Sequence, residues 1–145
     1  MDSRNEFWPC SLAILFLLLV FFTQAHNAHG QITRVGQVAR DFELPNRESG
    51  ESVKLSDFTG NVILLDFFAW WCGPCRSSTP DVKRNIDQYY QDRDGNKHGG
   101  PVTVVSINVE TSSPERTNQF ISEFGLELVL DDFADKAYSQ FSSEG

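Results

Sequence analysis

Cys72-Gly73-Pro74-Cys75 constrains this sequence more than any other segment. It places two thiols with two residues between them, shortly after Val62 to Phe68 (VILLDFF), an apolar run of strand length. A near-continuous apolar run of that length fits a central strand buried on both faces. From Cys72 to about Tyr90 the spacing becomes helical, with Pro74 in the first turn, where a missing N–H leaves nothing unpaired. Pro80 then falls inside the helix and is expected to kink it.

The thiols therefore sit where a strand hands over to a helix N-terminus. Free backbone N–H groups and the positive end of the helix dipole favour thiolate over thiol there. An ordinary cysteine has a pKa of about 8.5, and CxxC thiols in such places fall to roughly 3.5–7.5. Each unit is about 1.4 kcal/mol in favour of the thiolate. Cys72, at the helix start and nearer solvent, is the expected nucleophile. Cys75, one turn in and more buried, is expected to resolve the mixed disulfide.

Other uses of a CxxC fit less well. Zinc needs a second pair of ligands, and the one His after residue 30 is His98 in a polar loop, so no metal is expected. Haem attachment needs a His where Arg76 stands. A purely structural disulfide would close a tiny loop and constrain the unfolded chain little. Copper-chaperone and peroxidatic readings each require motifs that are not present.

The remainder supplies an α/β order. Phe42, Leu44, Val53 and Leu55 alternate with polar residues around Pro45-Asn46-Arg47-Glu48-Ser49-Gly50, which predicts a short hairpin with a loose turn. Ser56 to Gly60 reads as a turn and Asp92 to Pro101 as a polar, Gly-rich loop. Val102 to Val109 is β-branched and reads as a second central strand. Ser113-Pro114 starts a second helix as N-cap and first residue, and that helix stops at Gly125. Glu127 to Leu130 reads as a short strand and Phe133 to Phe141 as helix. This β–α–β–α–β order implies a mostly parallel sheet covered by helices.

Residues 1–30 read as a signal peptide or signal anchor. Leu12 to Phe22 is an uninterrupted 11-residue apolar stretch. A secretory core is about 7–15 residues and a spanning helix about 20. Cleavage after Ala25 or Gly30 suits a small-x-small rule, but Asp2 and Glu6 beside Arg4 leave the leading segment without clear positive charge, so an uncleaved anchor stays open. Either way the rest faces an extracytoplasmic space. Cys10 precedes the apolar core and is read as a small apolar signal residue. From residue 31 onward there are 11 Lys/Arg against 18 Asp/Glu, a net charge of about −7. Nucleic-acid binding needs clustered cations, and docking on anionic lipid is argued against on the same ground.

Phe68-Ala69-Trp70-Trp71-Cys72-Gly73-Pro74-Cys75 resembles the active-site segment of the thioredoxin superfamily. Gly36 to Leu44 and Val53 to Gly60 resemble the N-terminal hairpin of its TlpA/ResA-like branch. The match covers roughly residues 35–141. It implies a thioredoxin-like fold over 31–145, and a membrane-anchored or exported thiol-disulfide oxidoreductase of the kind that acts in cytochrome c maturation or disulfide repair. The redox group is then the Cys72/Cys75 dithiol itself, cycling to a disulfide, with Trp71, Gly73 and Pro74 in the active-site loop and no external cofactor. The partners implied are a protein disulfide substrate and an upstream thiol electron donor, which can be membrane-bound. The alternative is a non-catalytic thioredoxin-like binding module or an inactive fragment. The Gly73-Pro74 dipeptide matches the reducing type, for which potentials near −270 mV are usual, against about −120 mV for strong oxidants.

Asp66, six before Cys72, matches the buried Asp of thioredoxins, where many TlpA/ResA-like proteins have Asn. Burial without a cation should raise its pKa. It could then accept the Cys75 proton as that thiol attacks; a hydrogen-bonded structural carboxylate is the other reading. The thioredoxin Lys on the next strand is replaced by Ser106, and Ser78 stands where many ResA-like proteins carry Glu. Trp70 and Trp71 are expected to pack around the thiols, with a substrate contact open for Trp71. The family continues into a cis-Pro loop, a β-hairpin and a final helix. This chain has no proline after Pro114 and stops at Gly145, so the resemblance implies a domain truncated before that loop, read as a fragment rather than a weakened variant.

Overall fold

A computed structural model of the chain describes residues 33–142. The segment read as a signal, with Cys10, lies outside them. Strands β1 (Glu43–Pro45) and β2 (Ser52–Lys54) pair antiparallel with Leu44 opposite Val53, so the alternation of apolar residues does make a hairpin. The Asn46 side chain closes its loop by accepting the N–H groups of Glu48 and Ser49. Gly50 completes the loop in the left-handed region, which costs glycine little. A single 3₁₀ turn, Leu55–Phe58, leads to the main sheet.

Strands β3 (Val62–Phe68), β4 (Val102–Asn108) and β5 (Val129–Asp131) are parallel and ordered β3-β4-β5. Helix α1 (Gly73–Val82) follows β3, α2 (Pro114–Phe124) follows β4, and α3 (Tyr138–Phe141) follows β5. Pro80 lies inside α1 and has no N–H to give the preceding turn. Just beyond it the helix changes to π geometry over Lys83–Gln88 and closes with one α turn, Tyr89–Gln91. The departure from α geometry is thus a wide turn that begins at Lys83, after the proline.

The period of two along β3 divides the core. Ile63, Leu65 and Phe67 meet Val105, Ile107, Leu130, the hairpin and the α3 segment on one face. Phe68 belongs to the other face, where α2 brings Phe120 into a stack with ring centroids 4.9 Å apart. Full burial of each such ring contributes about 1.5–3 kcal/mol. Helices α1 and α2 therefore share the face that carries Asp66.

Three expectations are corrected. Among the described residues β3 is an edge strand and β4 the central one. The apolar run in β3 reflects cover from both core clusters, and Val62 at its start is 55% exposed. The last strand begins at Val129, two residues later than expected. Only the final turn of Phe133 to Phe141 is helical. The buried Asp132 carboxylate accepts the N–H groups of Lys136, Ala137 and Tyr138, and Asp135 takes a left-handed backbone, so an earlier helix start is pre-empted.

Candidate functional site

Cys72 is the N-cap residue of α1. Its backbone is extended, its sulfur accepts the Cys75 N–H at 3.1 Å, and its carbonyl accepts the Arg76 N–H at 3.1 Å. Pro74 contributes no N–H to this first turn, so the Cys75 donor is aimed at the Cys72 sulfur. Cys72 and Cys75 form a disulfide with Cα atoms 5.2 Å apart. Both are half-buried, whereas Trp71, Gly73 and Pro74 are exposed around them. Cys75 packs against the Phe68–Phe120 cluster, and its sulfur lies 3.9 Å from the Phe67 carbonyl oxygen. That carbonyl belongs to the residue after Asp66, so the inner sulfur lies against the part of β3 that bears the carboxylate.

Asp66 is opposite Ser106 on β4, the neighbouring position expected from sequence. Its Oδ2 is buried with no hydrogen-bond partner in the protein, and burial pushes the carboxyl pKa up. Beside it is a cavity of about 290 Å³, also lined by Thr79, Lys83, Ser106 and Glu127. Lys83 Nζ donates to Asp87 at 2.7 Å and Glu127 at 2.6 Å. Burial works against its ammonium, but those hydrogen bonds outweigh it and hold its pKa above the usual lysine value. Ser78, in contrast, is exposed on α1.

The two tryptophans separate. Trp70 packs against the Phe68–Phe120 cluster, with the Arg116 guanidinium 4.4 Å above its ring. Trp71 does not pack into the interior: it is 61% exposed, and its indole N–H donates to Glu110 at 3.1 Å. The Ser112 side-chain and backbone hydrogen bonds, with smaller help from that indole, lower the Glu110 pKa. Thr79, Lys83 and Glu110 were not singled out from the sequence. Cys75, Thr79, Lys83 and Asp87 recur every four residues, a helical stripe that could have revealed the first two. Glu110 carries no such signal. Among the described residues no cluster of three or more His, Cys, Asp or Glu is arranged to hold a metal ion.

The arrangement can hold a thiolate at a helix terminus and exchange it with a disulfide. The comparisons agree with that chemistry. Residues 35–140 match the AhpC/TSA family profile. The chain is 30% identical to the thiol-disulfide oxidoreductase ResA of Halalkalibacterium halodurans over 90% of its length and 70% of that protein. It is also 30% identical to the ResA of Oceanobacillus iheyensis over 92% of its length, and spans 62% of that relative. A Chlorobium tepidum structure assigned as a thiol:disulfide interchange protein DsbE superposes with a TM-score of 0.57 at 33% identity, over 74% of this chain and 71% of that one. With a helix-capping CGPC pair on a thioredoxin-like sheet, the chain belongs to the AhpC/TSA family, among relatives that are thiol-disulfide oxidoreductases.

Proposed function

We propose that this chain works outside the cytoplasm as a reductase of protein disulfides, with Cys72 as nucleophile and Cys75 as resolving thiol. The observation that carries the reading is the Cys72 sulfur seated as the cap of α1, where it accepts the Cys75 N–H. In the reduced state the same N–H and the helix dipole favour the Cys72 thiolate. The thiolate attacks a substrate disulfide, one substrate sulfur leaves, and a mixed disulfide forms. Cys75 then attacks the Cys72 sulfur and loses its proton to Asp66. The second substrate sulfur leaves, and the Cys72–Cys75 disulfide remains. Two electrons pass to the substrate, and an upstream thiol donor returns them.

Exposed Trp71 and Pro74 border the sulfurs and offer a surface to the substrate chain. Export rests on the apolar segment Leu12 to Phe22. Among the described residues no helix is long and apolar enough to cross a membrane. A role in cytochrome c maturation belongs to the same reading, through the TlpA/ResA-like resemblance.

Insulin reduction driven by dithiothreitol tests the activity. The wild-type chain should accelerate precipitation and Cys72→Ser should fall to the uncatalysed rate. A Cys72→Ser chain as active as wild type would sink the proposal. Equilibration with glutathione tests the direction, which should give a midpoint below about −180 mV, the isomerase range.

A further inference from the structure

Two buried polar atoms have no hydrogen-bond partner in the protein and line the same cavity: Asp66 Oδ2 and Thr79 Oγ1. They come from facing elements, β3 and α1. The cavity, about 290 Å³, is far larger than the roughly 30 Å³ share of one liquid water. Water fills such a space when it finds two to four polar partners, and these two atoms with the Ser106 hydroxyl supply them. Farther along the same helical stripe, Lys83 donates two of its three N–H groups to Asp87 and Glu127. The third can turn to the cavity. Glu127 is exposed, so this ion pair stands where the cavity meets solvent.

We propose that ordered water in this cavity hydrogen-bonds Asp66 and Thr79 and carries the Asp66 proton to solvent past the Lys83–Glu127 pair, away from the dithiol, with Thr79 and Lys83 as positioning residues. The inference rests on the proposed role of Asp66 as acceptor of the Cys75 proton. In the resolving step the Cys75 S–H bond breaks and the proton moves to Asp66. Cys75 sulfur bonds to Cys72 sulfur, and the substrate sulfur leaves with the electron pair of the broken S–S bond. The Asp66 O–H bond then breaks, and its proton passes to water and outward, so the carboxylate is ready for the next turn. A proton released this way does not have to cross a substrate still docked on the sulfurs. The charged groups lining the cavity with Asp66 are Lys83 and Asp87 from the π-helical stretch and Glu127 from the α2–β5 link; β4 contributes no charge, only Thr103, Ser106 and two valines.

The test uses the full chain in its disulfide form, so part of it needs no turnover. Water-to-protein NOEs should appear at the Thr79 methyl. The Asp66 ¹³Cγ titration midpoint should rise by about one pH unit in Thr79→Val, the shift expected when one hydrogen bond to a charged group is lost. Thr79→Ser should titrate with wild type. Single-turnover resolution of a mixed disulfide should lose its acid side at correspondingly higher pH in Thr79→Val and not in Thr79→Ser. Should Thr79→Val fail to fold, Lys83→Met, which keeps an unbranched apolar stem at the mouth, should move the same midpoint upward. Absence of water NOEs at Thr79, or unmoved midpoints in the folded variants, would overturn the proposal. A wild-type chain that forms no mixed disulfide would instead sink the dithiol reading, while the NOE and titration results still decide the water path.

Discussion

Asp66 is a carboxylate whose surroundings oppose its charge. Its Oδ2 is buried with no hydrogen-bond partner in the protein, its strand neighbour is the uncharged Ser106, and Lys83 is held by Asp87 and Glu127. A folded-state pKa above the unfolded value has a definite sign in stability. The contribution is fully present below the unfolded aspartate value of about 3.9 and is lost as pH rises through the folded value. Asp66→Asn should therefore be more stable than wild type in a denaturant melt at pH 7, and the difference should vanish in acid. The same substitution removes the proposed base, so resolution of the mixed disulfide should slow by about 100- to 10,000-fold while first attack by Cys72 is nearly unchanged. Lower stability with unchanged resolution would make Asp66 a satisfied structural carboxylate.

At the scale of elements, Gly125 ends α2 in the left-handed region, and its N–H returns to the Ile121 carbonyl. An added Cβ would meet nothing within 4 Å, so only backbone conformation opposes a side chain there. Gly125→Ala should cost about 1–2 kcal/mol in a urea melt, and a loss under about 0.3 kcal/mol would show that the helix end re-forms without the left-handed residue. This stop was legible in the sequence, as were the hairpin from Leu44 and Val53 and the strand-to-helix junction at Cys72. Each depends on local chemistry: a left-handed glycine, a period of two, a proline in the first turn. The edge position of β3 was not legible, because VILLDFF reports apolar cover and says nothing about which strand lies beside it. The short α3 was missed because Asp132, outside the helix, takes the N–H groups that an earlier start would use. Around the thiols, CGPC could be read from its own spacing, and Asp66 from the thioredoxin resemblance and its place in an apolar strand. Trp71 could not be placed, since its partner Glu110 is far away in sequence and depends on how the β4–α2 link folds.

At the scale of the molecule, one side chain ties most of the layers together. Arg47 leaves the hairpin loop and donates through Nη1 to both Asp131 carboxylate oxygens, at 2.7 and 2.8 Å. Its Nε donates to Asn118 and its Nη2 to the Pro114 carbonyl, both on α2. Asn108 of β4 donates to the same Asp131 at 2.8 Å. The Arg47 N–H also bonds the Val129 carbonyl, and Asn46 bridges to Leu130, so the corner of the hairpin covers the edge of β5. Arg47 and Asp131 side chains are 15% and 9% exposed, which distinguishes this pair from screened surface pairs such as Arg76–Glu123. Removing one partner of a buried pair leaves the other charge uncompensated, at about 3–5 kcal/mol. Arg47→Met should therefore lower the unfolding free energy by about 3 kcal/mol, read from urea melts at pH 7. Replacing both partners, Arg47→Met with Asp131→Leu, removes the orphaned carboxylate and should recover much of that loss, less what Asn108 forfeits. A single variant within about 0.5 kcal/mol of wild type would place this pair with the screened surface contacts and leave the hairpin held by the burial of Phe42 and Leu44.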